Sequence, residues 1–130
     1  MPRTISNPDG IHPPPGYSHT VIATGSRLAF VAGQVALDRD FQLVGGDDLG
    51  AQTRAAMENL RIALDELGAS WEDVVKATVY TTRPHHYEEI GAAMAEGMGG
   101  AAGPAQVLLG VTGLALPDLL VEIELVVSLP

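Results

Sequence analysis

Ala56, Met57, Leu60, Ala63, Leu64 and Leu67 recur at spacings of three and four, while the segments on either side run in short β-rich stretches. That change of period sets one face of an α-helix between strands. It is the strongest constraint on the fold, because such a helix has to bury its stripe against the sheet that its neighbours form. Arg54, Glu58, Arg61, Asp65 and Glu66 fall off the stripe. Asp47 or Asp48 supplies the N-cap, and Gly68 ends the helix in a left-handed conformation.

The other segments arrange themselves around this helix. Residues 7–16, rich in proline and glycine, exclude regular helix or sheet. Residues 17–23 alternate weakly, Thr24-Gly25-Ser26-Arg27 supplies turn chemistry and residues 28–32 are a second apolar run, which together predict a hairpin. Residues 38–46 read as loop. Ser70-Trp71-Glu72-Asp73 has the pattern of a capping box for one short helical turn, with Trp71 packed under it. Residues 74–82 are rich in β-branched side chains and strand-like. Pro84 suits the first position of a second helix with a stripe of Tyr87, Ile90, Met94 and Met98, which the glycines at 97, 99, 100 and 103 stop. Residues 105–111 and 119–127 are two further strands. The order strand, strand, helix, strand, helix, strand, strand predicts an α+β sandwich with both helices on one face of the sheet, in a single domain over residues 1–130.

The last strand divides its side chains by function. Val121, Ile123, Leu125 and Val127 point one way, to pack under the helices. Glu122 and Glu124 point the other way, in company with Leu120 and Val126. A face that mixes carboxylates with large aliphatics predicts partial cover by a neighbouring subunit. If the two carboxylates lie close together under that cover, mutual repulsion keeps one protonated, as a general acid requires.

Charge and composition narrow the partners. The chain has 7 Lys and Arg against 16 Asp and Glu, a formal charge of −9. Nucleic-acid binding depends on clustered cations that release counterions; with Lys76 the single lysine, no such cluster is expected here and no nucleic-acid partner. There are no cysteines, which excludes disulfides and thiolate metal sites and suits a reducing cytoplasm. No apolar run approaches the roughly 20 residues that span a bilayer, and residues 1–5 do not resemble a signal peptide. A soluble, cytoplasmic protein without a membrane partner is the expectation.

Five passages, in order, resemble the RidA/YjgF family of small enamine and imine deaminases. They are Pro15-Gly16-Tyr17-Ser18-His19; Val31-Ala32-Gly33-Gln34; Gln52-Thr53 with Asn59-Leu60 and Leu64; Asp73-Val74-Val75-Lys76-Ala77-Thr78-Val79-Tyr80; and Pro117-Asp118-Leu119-Leu120-Val121-Glu122-Ile123-Glu124. Together they span roughly residues 12–127. The resemblance implies a YjgF-like, chorismate-mutase-like α/β sandwich with a mixed sheet, assembled as a homotrimer around a barrel-like centre with clefts between subunits. In deaminating members the cleft binds a carboxylate-bearing enamine or imine and adds water to the imine carbon, with no metal or organic cofactor. Tyr17 and Glu122 match cleft positions, with Glu122 in the role of the acid that positions or activates water.

Three positions depart from that pattern. Gln106, in Gly103-Pro104-Ala105-Gln106-Val107, stands where the family's substrate-gripping arginine would be. Ala32 replaces the usual serine and Gly91 the usual asparagine, so the substrate-binding set becomes Tyr17, Gln106, Ala32 and Gly91. Arginine holds a carboxylate with two charge-assisted bonds, where glutamine offers one neutral amide. The exchange costs about ten- to a hundredfold in affinity for a carboxylate. A neutral ligand fits such a site better than an amino-acid-derived imine.

Other residues carry weaker signals. His19 shares a strand face with Tyr17, where a histidine can serve as acid or base, although such histidines are usually hydrogen-bonded surface groups. Arg83 is placed to lend a cation in place of the lost arginine, against the ordinary reading of a solvated residue at a helix entrance. Adjacent His85 and His86 diverge by about 100° on a helix and do not share one ion, so no metal site is expected. Gly33 marks a positive φ or a close approach. Three roles remain open: an enzyme acting on an uncharged enamine, imine or carbonyl compound; a non-catalytic trimer that binds a metabolite; and a holdase-like interaction protein.

Overall fold

The computed structural model describes residues 2–130. Its strands are β1 (Arg3–Ser6), β2 (Thr20–Ala23), β3 (Arg27–Gln34), β4 (Val74–Thr81), β5 (Ala105–Gly110) and β6 (Val121–Leu129), and its helices are α1 (Leu49–Glu66) and α2 (Tyr87–Met98). One-turn 3-10 helices, Trp71–Asp73 and Pro84–His86, lead into β4 and α2. The main sheet has the order β3-β6-β4-β5; β4 and β5 run parallel and the other pairings are antiparallel. A mixed sheet with two helices on one face is the architecture that the periodicity predicts.

Local chemistry accounts for the element ends. Asp48 caps α1 by accepting from the Ala51 N–H at 3.0 Å, and Gly68 follows with φ +67°. Ser70 and Asp73 form the expected capping box around the first 3-10 turn. Gln52 is fully buried; its amide donates to the Gly46 and Asp118 carbonyls at 2.7 and 2.9 Å and accepts from the Leu120 N–H at 2.9 Å. Asn59 similarly donates to the carbonyls of Val35 and Leu37. These two amides tie α1 to the segments that leave β3 and lead into β6, where part-buried carbonyls would otherwise lack donors.

The core lies between helices and sheet. Met57, Leu60 and Leu64 of α1 and Ile90 and Met94 of α2 meet Val79, Val121, Ile123, Leu125 and Val127. Burying each large aliphatic side chain contributes about 1.5–3 kcal/mol. At Gly97 an added Cβ would stand 2.7 Å from Met57 Cε, so glycine there permits the close crossing of α1 and α2.

Several expectations need correction. The hairpin of residues 17–23 with 28–32 does not form: β2 pairs with β1, and β3 pairs with β6. Gly25 serves instead to let the chain pass against Ser128 and Leu129, its N–H donating to Ser128 Oγ at 2.9 Å. β1 escaped notice because only Thr4 and Ile5 carry strand character, and it is held from afar: the buried Arg3 guanidinium donates to the carbonyls of Val74 (2.6 Å) and Ala102 (2.8 Å). Leu120 does not share the outer face with Val126; it precedes β6 and joins the core. Tyr87 is exposed rather than part of the buried stripe of α2, and Gly97 does not stop that helix but lies inside it, the cap being Gly99.

The opposite face of the sheet is open in the single chain. Phe30 is 75% exposed and Leu28 54% on the β3 edge, and Val107 and Leu109 are exposed on the β5 edge. The mixed face foreseen from the β6 pattern is therefore real and extends across all four strands.

Candidate functional site

Two places gather the singled-out residues. The first is a cavity of about 680 Å³ between the residue 15–17 loop, α2 and β5, lined among others by Tyr17, Tyr87, Glu88, Gly91, Met94 and Gln106. Gln106 pairs in register with Ala77, whose side chain is buried on the helix side, so alternation turns Gln106 to that side too. Tyr17 reaches it because the preceding loop is docked on the Gly103-Pro104 turn. The Ser18 N–H donates to the Pro104 carbonyl at 3.0 Å, its hydroxyl donates to the Gly103 carbonyl at 2.6 Å, and Ser18 bridges to Ala105. A Cβ at Gly103 would collide with the Gly16 carbonyl, so this contact requires glycine.

The Tyr17 hydroxyl is held by His12, whose Nε2 lies 2.8 Å away. His19 Nε2 donates to the His12 carbonyl at 2.7 Å, which fixes the tautomer of His19. The three rings meet edge to face, with His12 and His19 centroids 4.9 Å apart. His19 thus stands behind Tyr17 rather than in the cavity. His12 is a residue that sequence reasoning missed: it lies in a proline-rich lead, five residues from the side chain it orients.

Gly91 lines the cavity on α2, and a Cβ added there would meet nothing within 4 Å. The missing side chain is open space in the wall. Arg83 does not line the cavity; its guanidinium pairs with Asp47 at 2.6 Å and also donates to the Asp47 carbonyl.

The second place is the outer sheet face around Glu122. Its Cα partner across the sheet is Tyr80, and the β3–β6 register shifts between Val31 and Gln34, so Ala32 and Gly33 fall in the irregularity. Bulges re-aim side chains and recur beside functional groups. A Cβ at Gly33 would run into the Glu122 carboxylate, which establishes the close approach, with no positive φ involved. Glu124 accepts from the Tyr80 hydroxyl at 2.5 Å. That bond, then desolvation and then the charges of Glu124 and Glu122, hold the phenol above its ordinary pKa.

Tyr17, Gly91 and Gln106 are thus brought together, and Ala32 and Glu122 are brought together elsewhere. The two sets lie on opposite faces of one sheet. Among the described residues no group of three or more His, Cys, Asp or Glu could hold a metal ion, and no helix is long and apolar enough to cross a membrane.

Comparison with known proteins supports the fold. The family model described as Endoribonuclease L-PSP matches residues 7–129. A RutC family protein of Synechocystis is 33% identical over 115 residues, covering 88% of this chain and 86% of that protein. One from Pyrococcus abyssi is 36% identical over 95 residues, 73% of each chain. The crystal structure of YyfB, a Rid-family protein of unknown function from Yersinia pestis, superposes with a TM-score of 0.94 at 39% identity, covering 99% of this chain and 100% of that one. With that match along almost its whole length, and the mixed sheet and helices already described, the chain belongs to the RidA/YjgF family.

Proposed function

We propose that the protein is a RidA-like enzyme that acts on an imine, an enamine through its imine tautomer, or a related carbonyl compound, adding water to the C=N bond where there is one, in a cleft between copies of the chain. The observation that carries this reading is the division of the site. Tyr17 and Gln106 open into one cavity, while Glu122 and Ala32 lie on the other face of the sheet. A second copy that covers the open face would set its own Tyr17 and Gln106 against Glu122, and three copies related head to tail close into a trimeric ring of one-domain subunits. Water then adds to the imine carbon as Glu122 takes its proton. The C–N bond of the carbinolamine breaks once the nitrogen is protonated, leaving a carbonyl compound and ammonia. Gln106 orients a polar group of the substrate and Tyr17 forms the wall.

Gln106 offers no charge to a carboxylate, so amino-acid-derived imines are poor substrates in this reading. RNA cleavage is disfavoured: the chain carries −9, and Arg61 and Arg83 are engaged with Glu58, Asp65 and Asp47. The test is ammonia release from a panel of freshly generated imines. Glu122→Gln should slow every substrate by about 10²–10⁴-fold; unchanged rates would sink the mechanism. A non-catalytic metabolite carrier is the second reading, favoured by the apolar walls of the cavity around Ile90, Met94, Met98 and Leu108. It predicts ligands that raise the melting temperature and emerge unaltered.

A further inference from the structure

The cavity beside Gln106 has a polarity of its own. Glu88 is the one charged side chain among the described residues that line it; no Lys, Arg or His does. Glu88 stands in the first turn of α2 with neither an ion-pair nor a hydrogen-bond partner, whereas its neighbour Glu89 accepts from the Gly50 N–H at 3.2 Å. Two phenol rings, Tyr17 and Tyr87, line the same cavity. Ile90, Met94, Met98 and Leu108 give it an apolar interior, and the absent side chain of Gly91 adds room.

An unpaired carboxylate in a cavity that two phenol rings line attracts a cation through its charge, and the rings can add to that attraction. It repels an anion, and the surplus of acidic residues over the whole chain acts in the same sense. A cavity of about 680 Å³ is within the range of roughly 300–1,000 Å³ that holds a drug-sized molecule, and it offers apolar contact to a body of that size.

We propose that this cavity binds protonated, carboxylate-free amines and imines with a bulky apolar or aryl body, with Glu88 as the counter-ion. The inference deepens the hydrolytic reading above and rests on it for turnover, but not for binding. The substrate is then the iminium of a primary amine, R–CH=NH₂⁺. Water adds through oxygen to the iminium carbon, one of its protons passes by way of Glu122 to the nitrogen, and the C–N bond breaks to give R–CHO and NH₄⁺. Mass and charge balance with no oxidant: R–CH=NH₂⁺ + H₂O → R–CHO + NH₄⁺. The reaction that supplies such a substrate is the two-electron oxidation of a primary amine. Loss of the family's arginine and the presence of Glu88 then act together, since one removes affinity for a carboxylate and the other adds affinity for a cation.

The test compares three ligands of one shape by titration calorimetry: phenethylamine, 2-phenylethanol and 3-phenylpropionate. Wild type should bind the amine about tenfold more tightly than the alcohol, and the acid least. Glu88→Gln should remove the preference for the amine, and Glu96→Gln, which changes an exposed carboxylate of the same helix outside the cavity, should keep it. Equal binding of amine and alcohol, tighter binding of the acid, a preference that survives Glu88→Gln, or no binding of the amine would each overturn the proposal. A second arm follows ammonia release from phenylacetaldimine generated in place by an amine oxidase. Amine-selective binding without faster ammonia release supports the cation site and rejects the hydrolytic reading. Faster release without amine selectivity does the reverse.

Discussion

Tyr80 and Glu124 join two strands through one short hydrogen bond, and the direction of the phenol's shift sets its dependence on pH. The folded-state pKa lies above the unfolded value, so the bond stabilises the fold fully below about pH 10 and the contribution is lost as pH rises through the folded value. Spectrophotometric titration of the three tyrosines should show one that ionises late, and Tyr80→Phe should delete that step. A late step that persists in the variant would mean that another tyrosine carries it. Legibility at this scale depends on whether a residue's partner is local. Gly33 reads from sequence as a positive φ or a close approach; the structure shows the close approach, to the Glu122 carboxylate. His12 and Glu88 gave no sign. One lies in a proline-rich lead and the other beside a second glutamate, and only tertiary folding sets His12 against the Tyr17 hydroxyl and Glu88 in the cavity wall.

Helix α2 carries two glycines with opposite reasons for being there. Glycine inside a helix costs about 1 kcal/mol relative to alanine. Gly97 offsets that cost by letting Met57 approach, whereas Gly91 faces open space. Gly91→Ala should therefore stabilise the fold by about 0.5–1 kcal/mol, and Gly97→Ala should destabilise it by about 1–3 kcal/mol. Urea unfolding distinguishes them, and a destabilised Gly91→Ala would show that its wall is not free. The helices were readable from period and caps because those signals are local: Asp48, Gly68 and the Ser70–Asp73 box each act within four residues. The hairpin was misread because residues 17–23 and 28–32 satisfy a local rule while their real partners lie far away, β1 on one side and β6 on the other. Tyr87 was misread for a related reason. It keeps the spacing of the buried stripe, but it opens the helix and faces the cavity.

For the whole molecule, the decisive fact is that Tyr17 and Gln106 open on one face of the sheet while Glu122 lies on the other. If a neighbour completes each cleft, Gln106→Leu and Glu122→Gln proteins should both be impaired alone, yet rescue each other when co-assembled. Random mixing of equal amounts leaves about a quarter of the clefts with both residues intact in a head-to-tail ring. Recovery of about that share of wild-type rate after co-refolding checks the arrangement, and a mixture as slow as its components rejects it. The sequence order adds a consequence for how the domain is made. The main sheet is ordered β3-β6-β4-β5, so the strand synthesised last fills its middle. During translation β3 and β4 emerge with no strand between them, and both wait for residues 121–129 before the sheet can close. Such long-range closure slows folding relative to local pairing, and it leaves the edges of β3 and β4 that face β6 without their partner until that strand arrives.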